Sequence, residues 1–415
     1  MLNKKRVVVT GIGAVTPLAQ NAINTWHALI AGKSGIRAID RFDTTRFSSK
    51  IGGMICDDFK PEAYIRPQDL RKMDLFIQYG IAASKQAIED SAWVPSDDEQ
   101  KERTAVILGS GIGGLQTIEN TSLALEKSLK NNTSPFFIPA SLINLLPGHV
   151  SLIYDFRGPN FSVVTACASG ANAICEGYHI IQNNYADVVV AGGAEAPITP
   201  VGVAGFAAAR ALSTKYNDQP ASASRPWDKD RDGFVIAEGA AVVVLEEYEH
   251  ALARGAKIYC ELLGCGMSGD AYHITSPEPT GRGAYNAMKQ AVERAGVDLQ
   301  EIGYISAHGT STQAGDEIEL KAVSKLYQAC EKKPLMSSTK SATGHLLGAA
   351  GSLEFALCIF ALQNQIAPPT LNLHNSIDSQ IDLVPLYAKQ LATRYAMSNS
   401  FGFGGTNTSI ILGLL

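Results

Sequence analysis

Apolar positions along the chain follow two rhythms. Short runs dense in Val, Ile, Leu and Ala predict strands at 6–10, 104–108, 161–165, 187–191 and 240–246. A second set predicts strands at 258–263, 304–307, 334–338, 396–399 and 408–412. Between many of them, apolar residues recur three and four apart, predicting helices such as 75–92, 283–295 and 351–363. Strands alternating with helices predict an α/β fold with layers around buried sheets. A faint echo runs through the pattern. In the first half a strand leads to Cys167, Gly170 and a helix. In the second half, 335–339 leads to Lys340, Gly344-His345 and another helix. This suggests two related halves, 1–250 and 251–415, and no low-complexity linker separates them.

The run Val163-Val164-Thr165-Ala166-Cys167-Ala168-Ser169-Gly170 joins a predicted buried strand to a predicted helix. From Ser169 on, Ala171, Ile174, Cys175, Tyr178 and Ile181 keep helical spacing. A thiol at a helix start faces unpaired backbone N–H groups and the positive end of the helix dipole. Both favour the thiolate, the reactive form. A free cysteine also packs well as a small buried hydrophobe. Local context leaves both readings open.

Composition narrows the setting. Of 415 residues, 46% are hydrophobic and 18% charged, which fits a large globular core. A net charge of −5 speaks against bulk attraction to nucleic acid or an anionic membrane. The seven cysteines are an odd number with no C-x-x-C pair, so a reducing, cytoplasmic setting is expected. Lys4-Lys5-Arg6 followed by Val7-Val8-Val9 mimics a signal peptide, but Thr10, Gly11, Gly13 and Pro17 interrupt it early. It reads as a first strand and turn. No stretch approaches the roughly 18 uninterrupted apolar residues of a membrane span.

Two histidines keep similar company to Cys167. His308 lies in Ser306-Ala307-His308-Gly309-Thr310-Ser311-Thr312, after a predicted strand. His345 lies in Ser341-Ala342-Thr343-Gly344-His345-Leu346-Leu347-Gly348, before a predicted helix. Strand ends in α/β sheets are where ligand sites collect, so three reactive groups can converge there. One cysteine and two histidines also suit zinc. Against zinc, the three are far apart in sequence and Lys340 adds positive charge nearby. No metal site is therefore expected.

Three glycine-rich segments follow strands. Gly11-Ile12-Gly13 and Gly109-Ser110-Gly111-Ile112-Gly113-Gly114 are weak candidates for dinucleotide binding, since neither has a persuasive ribose-binding acid. No P-loop is present. In the third, Phe401-Gly402-Phe403-Gly404-Gly405-Thr406-Asn407, glycine permits close backbone approach. A backbone N–H from this loop and that of Cys167 can form an oxyanion hole.

The motifs 165–170, 308–312, 340–345 and 399–407, with Arg225-Pro226-Trp227-Asp228 through Phe234 and Ala191-Gly192-Gly193-Ala194-Glu195, occur in order. Together they resemble the β-ketoacyl-[acyl-carrier-protein] synthases, most like type II of bacterial fatty-acid synthesis. The resemblance implies a thiolase-like αβαβα fold of two similar halves, and a homodimer. It implies an acyltransferase that condenses an acyl chain with malonyl-[acyl-carrier-protein], taking both acyl- and malonyl-loaded acyl carrier protein as partner and needing no cofactor, since malonyl decarboxylation drives the condensation. Cys167, His308 and His345 are the catalytic set it implies. Lys340 and Glu354 then form a charged network orienting the histidines, and Phe403 is a gate whose N–H is the second oxyanion donor. Ile112, Phe137, Phe206, Thr310, Thr312 and Phe401 are the implied substrate contacts. Arg66, Arg71, Lys72 and Arg210 are candidates for a basic patch that receives the acidic carrier protein.

Rival readings differ at single positions. A biosynthetic thiolase would carry a second cysteine in 399–407, an initiating type III synthase one histidine with an asparagine, and a chain-length-factor subunit no cysteine. A polyketide ketosynthase shares the chemistry, a cysteine hydrolase would pass the acyl group to water, and a silent scaffold would not need the intact set. Ala168 and Gln313 depart from the common Thr and Pro of type II relatives and leave chain-length preference open.

Overall fold

A computed structural model describes residues 4–128, 133–377 and 380–415. Ten strands form one sheet. The first five are β1 (Val7–Val15), β2 (Thr104–Gly109), β3 (Asn160–Phe161), β4 (Val188–Glu195) and β5 (Gly239–Glu247). The second five are β6 (Cys260–Gly269), β7 (Ile302–Ser306), β8 (Leu335–Ser337), β9 (Tyr395–Gly402) and β10 (Thr406–Gly413). Their order is β8-β7-β9-β10-β6-β1-β5-β4-β2-β3. From either edge inward, the strands of one half run third, second, fourth, fifth, first. The directions repeat too: β2–β4 and β7–β9 are parallel, while β4–β5, β5–β1, β9–β10 and β10–β6 are antiparallel. The faint echo in the sequence is thus a repeat of the whole sheet topology. The halves meet where β1 pairs antiparallel with β6, Val7 opposite Leu262.

Five helices fix the layers: α1 (Leu75–Ser91), α2 (Ser169–Gln182), α3 (Arg282–Ala295), α4 (Gln313–Leu326) and α5 (Ala350–Asn364). Strand residues alternate between faces, so each strand serves two cores. Val189, Ala191, Val243, Leu245, Ile410 and Leu412 face the central core with α2 and α5. Val188, Val190, Val242 and Val244 face α1. Met397 and Ile411 face α3 and α4. The result is the layered αβαβα arrangement. Because α5 has sheet on both sides, every residue from Ala350 to Leu362 is buried. The segment Leu347–Asn364 has the length and apolar content of a membrane span, more than the sequence pattern suggested, and most of it is buried inside the fold.

Gly11 and Gly13 have a packing role in place of a ligand-binding one. A Cβ on Gly11 would lie 2.1 Å from the Ala87 carbonyl of α1, and one on Gly13 would lie 2.1 Å from that of Ala83. The second half uses the same device: Gly264 and Gly266 would meet the Ala291 and Ala287 carbonyls of α3 at 2.6 and 2.0 Å. Bare strand backbone lets each outer helix sit directly on the sheet.

The segment 161–165 departs from expectation. Regular pairing stops at Phe161, and Phe161 and Val164 are 36% and 55% exposed. The cause is position: β3 is the sheet edge, and among the described residues it pairs only with β2 and has no strand on its far side.

Gly13→Ala forces a methyl group into the α1 backbone and is expected to lower stability by about 3 kcal/mol. Gly205→Ala, in a helix with open space around it, is expected to change stability by less than about 1 kcal/mol, in the stabilising direction. Urea midpoints of the two variants check both.

Candidate active site

The turn before α2 carries Cys167. Ala166 adopts a left-handed φ of 50°, and residues Ala166–Ala168 form one 3-10 turn running into the helix. Ser169 pins the turn: its Oγ accepts from Thr165 N at 2.9 Å and donates to Ala166 O at 2.7 Å. The β9–β10 hairpin closes over it. Thr406 Oγ1 donates to Thr165 O at 3.1 Å, and a Cβ on Gly402 would lie 2.6 Å from that same oxygen and 3.2 Å from Cys167 N. Glycine at 402 is what lets the hairpin approach. The N–H groups of Phe403 and of Cys167 itself both reach the sulfur.

His308 follows β7, and His345 stands two residues before the turn Leu347–Ala349 that leads into α5. Their rings meet edge to face at 5.4 Å. Phe234 packs against His345 at 5.2 Å and Phe401 against His308 at 5.8 Å. Behind the rings sits a buried ion pair between Lys340 and Glu354, two side chains 1% and 2% exposed. Lys340 Nζ also donates to His308 O at 2.6 Å and faces His308 Nδ1 at 3.5 Å.

A cavity of about 570 Å³ opens onto these groups. Cys167, His308, His345, Phe206, Thr310, Thr312, Phe401 and Phe403 all line it, as does Arg210. Thr310 and Thr312 hold each other through their hydroxyls at 3.0 Å. Lys340 and Glu354 lie behind the wall. Ile112 and Phe137 are outside the cavity's lining. Ile112 belongs to the loop under the nucleophile turn, where a Gly111 Cβ would sit 3.5 Å from Ala166 O. Phe137 begins a short helix, Phe137–Ser141, and is half-buried. Arg66 and Lys72 are also outside the cavity and share one carboxylate, Asp69, at 2.7 and 2.6 Å, while Arg71 is exposed.

Burial and the Lys340 charge act in opposite directions on the sulfur. Burial pushes the Cys167 thiol up to about 11, against the opposing pull of Lys340 and the two N–H groups; nearby Glu195 adds to the rise. The surroundings that raise it are apolar and include Phe206, Phe234 and Leu347. Burial, then the Lys340 charge, hold both histidines well below their ordinary range, so both are neutral. Glu354 is pushed up to about 7 by burial, with Lys340 pulling it back.

Sequence reasoning missed two acids. Glu319 accepts from His308 N at 2.9 Å and Gly309 N at 2.7 Å, fixing the histidine loop. Asp316 accepts from Trp227 N at 2.9 Å and Ser311 N at 3.1 Å, tying the 225–234 motif to the same loop. Their signal was present: two acids one turn apart on the face of α4 that also buries Leu320 and Val323. Among the described residues, no group of three or more His, Cys, Asp or Glu is arranged to hold a metal ion.

Comparison with known proteins extends over the whole chain. The family description Beta-ketoacyl synthase, N-terminal domain, matches residues 4–251, and Beta-ketoacyl synthase, C-terminal domain, matches 259–374. A 3-oxoacyl-[acyl-carrier-protein] synthase 2 of Vibrio cholerae is 52% identical over 413 residues, 99% of each chain. One from Rhizobium meliloti is 50% identical over 415 residues, 98% of each. Among solved structures, a Beta-ketoacyl synthase from Burkholderia phymatum superposes with a TM-score of 0.91 at 35% identity, covering 99% of this chain and 100% of that one. A type II PKS acyl-carrier protein in complex with its ketosynthase bound to the hexaketide gives 0.91 at 28% identity over the full length of both chains.

Removing the Lys340 charge removes a force that favours the thiolate. Lys340→Met is therefore expected to raise the Cys167 pKa further and slow its alkylation by iodoacetamide about tenfold at a fixed mildly alkaline pH. Lys340→Met combined with Glu354→Gln keeps the site neutral and controls for misfolding. An alkylation profile identical to the parent's would show that the sulfur does not feel this cation.

Proposed function

The chain belongs to the β-ketoacyl synthase family, and on that footing we propose how its residues perform the reaction. It is a 3-oxoacyl-[acyl-carrier-protein] synthase, an acyltransferase of fatty-acid elongation. It condenses an acyl chain with malonyl-[acyl-carrier-protein] and gives a 3-oxoacyl chain two carbons longer. The observation that carries the residue assignment is the convergence of Cys167, His308 and His345 on one cavity, with the Phe403 N–H over the sulfur.

In the first half-reaction Cys167 attacks the thioester carbon of an acyl chain delivered on acyl carrier protein. Its proton leaves with the carrier thiol, and the acyl group stays as a thioester on Cys167. The N–H groups of Cys167 and Phe403 bind the oxyanion, an arrangement in which one donor is worth roughly 3–4 kcal/mol. In the second half-reaction malonyl carrier protein loses carbon dioxide and leaves an enolate. Neutral histidines suit this step because each still has an N–H to donate. Lys340 facing Nδ1 of His308 places that ring's proton on Nε2, an assignment made from the contact geometry. The carbanion attacks the acyl-Cys167 carbonyl, forms the carbon–carbon bond and releases the sulfur. Lys340 and Glu354 orient the histidines; Phe401 and Phe206 flank the reacting groups, and Thr310 and Thr312 line the approach. Ile112 and Phe137 serve the acyl path beyond the sulfur.

Acyl carrier protein approaches the cavity from the Arg210 side, with Arg71 free to join it and Arg66 and Lys72 partly neutralised by Asp69. The working form is a homodimer joined through the β3 edge. The support is a set of exposed apolar residues along that edge and its flanking helices: Phe161, Val164, Ile138, Leu142, Leu152 and Ile153. The halves 1–250 and 251–415 contribute the nucleophile and the histidines respectively, and the setting is the cytoplasm. A polyketide-type ketosynthase is the second reading, since structures of that class share the fold at a TM-score of 0.91. The 52% identity to a 3-oxoacyl-[acyl-carrier-protein] synthase 2 places fatty-acid elongation first.

Acyl carrier proteins of graded chain length, incubated with malonyl carrier protein, are expected to give 3-oxoacyl products two carbons longer by mass spectrometry. Cys167→Ala is expected to cut condensation by about a thousandfold or more with the fold intact. Release of free acid without a carbon–carbon bond would identify a hydrolase instead, and preference for polyketide primers would favour the second reading. Val164→Asp is expected to shift the protein to monomer in sedimentation velocity; an unchanged dimer would remove the β3 edge as the interface.

A further inference from the structure

The segment Gly109-Ser110-Gly111-Ile112-Gly113-Gly114 has the look of an anion-binding loop, and its anion lies within the chain. Glu195, the last residue of β4, is fully buried and ends inside this loop. Its Oε1 accepts from Ser110 Oγ at 2.8 Å, Ile112 N at 3.0 Å and Gly113 N at 3.3 Å. Its Oε2 accepts from Gly111 N at 2.6 Å and Gly348 N at 2.9 Å. Successive backbone N–H groups converging on one carboxylate form the kind of concavity that elsewhere cradles phosphate.

The packing leaves no slack. A Cβ on Gly111 would come within 2.8 Å of Oε2, and one on Gly348 within 2.6 Å of Oε2 and 2.3 Å of Gly111 N. Gly348 lies three residues past His345, in the turn that enters α5. One carboxylate therefore ties the loop of Ile112, beneath the nucleophile turn, to the turn beyond His345. Those two segments come from different halves of the chain.

We propose that Glu195 is a positioning residue that clamps the Ile112 loop against the His345–Gly348 turn and so sets the entrance of the acyl path beneath Cys167. The proposal rests on the reading of Cys167 as acyl carrier and Ile112 as lining of that path. The carboxylate has a second effect at the same place, since its negative charge opposes the Lys340 cation at the sulfur.

Glu195→Gln keeps the volume, removes the charge and turns one acceptor into a donor facing other donors. Two readouts are expected to move together. The ratio of kcat/KM for long over short acyl carrier proteins falls about tenfold, because the acyl path loses its support. The pH profile of Cys167 alkylation, followed by peptide mass, shifts about half a unit toward lower pH, because a neighbouring anion is gone. A folded variant in which either readout stays at the parent value overturns the proposal. Should Glu195→Gln fail to fold, Ser110→Ala removes one donor and keeps the charge. It is expected to lower the chain-length ratio in the same direction and leave the alkylation profile in place; an unchanged ratio overturns the clamp. Alkylation needs no substrate, so it is independent of the catalytic reading. An acyl group found by mass on a residue other than Cys167 would instead sink that reading.

Discussion

The site depends on how closely two helices approach in the middle layer. A Cβ on Gly170 of α2 would lie 2.7 Å from Ser352 Oγ and 3.0 Å from Gly348 O, and one on Gly351 of α5 would lie 2.8 Å from the Ala171 Cβ. Interiors are packed without spare volume, so such contacts are available only to residues lacking a side chain. Both helices cross near their first turns. The residues just before those turns, Cys167 and His345, are therefore brought to one cavity although 178 positions separate them in sequence. The duplicated sheet supplies the rest, since β9 carries Phe401 and β7 leads to His308.

Behind that crossing the chain buries a cation, Lys340, beside the two histidines. An ammonium about 4 Å from an opposite charge gains on the order of 4 kcal/mol at an effective dielectric of 20. That is enough to hold Lys340 against Glu354. At the more distant sulfur burial outweighs it and the thiol is raised. Attack becomes favourable when a bound thioester supplies the carbonyl carbon and the two N–H groups take up the charge that develops.

Much of this was legible in the sequence, and the exceptions have physical causes. Nine of the ten strand positions and the sampled helices follow from apolar rhythm, because those strands are packed on both faces or repeat with period two. The convergence of Cys167, His308 and His345 followed from their placement at strand ends. The 161–165 run was misread because apolar rhythm does not reveal which strand lies at an edge. Local helix geometry is visible in sequence, whereas the burial that raises the Cys167 thiol is set by tertiary packing. By sequence, Gly11-Ile12-Gly13 and 109–114 are weak dinucleotide-binding candidates, and their actual role is close packing. Their partners, the backbone of α1 and the Glu195 carboxylate, are set by tertiary packing. Glu319 and Asp316 stood in plain view on an apolar helix face, a pattern that rewards attention.

The pairing of β1 with both β5 and β6 has a consequence for biosynthesis. β1 ends at Val15, yet its second partner ends only at Gly269. At about 5–20 residues per second, a span on the order of ten seconds or more passes before that partner exists. Throughout it the nascent first half holds an open edge of Val7, Val8 and Val9, a template for wrong pairing. The seam that makes one body of two halves is thus also an edge that stays unpaired while the start of the second half is being made.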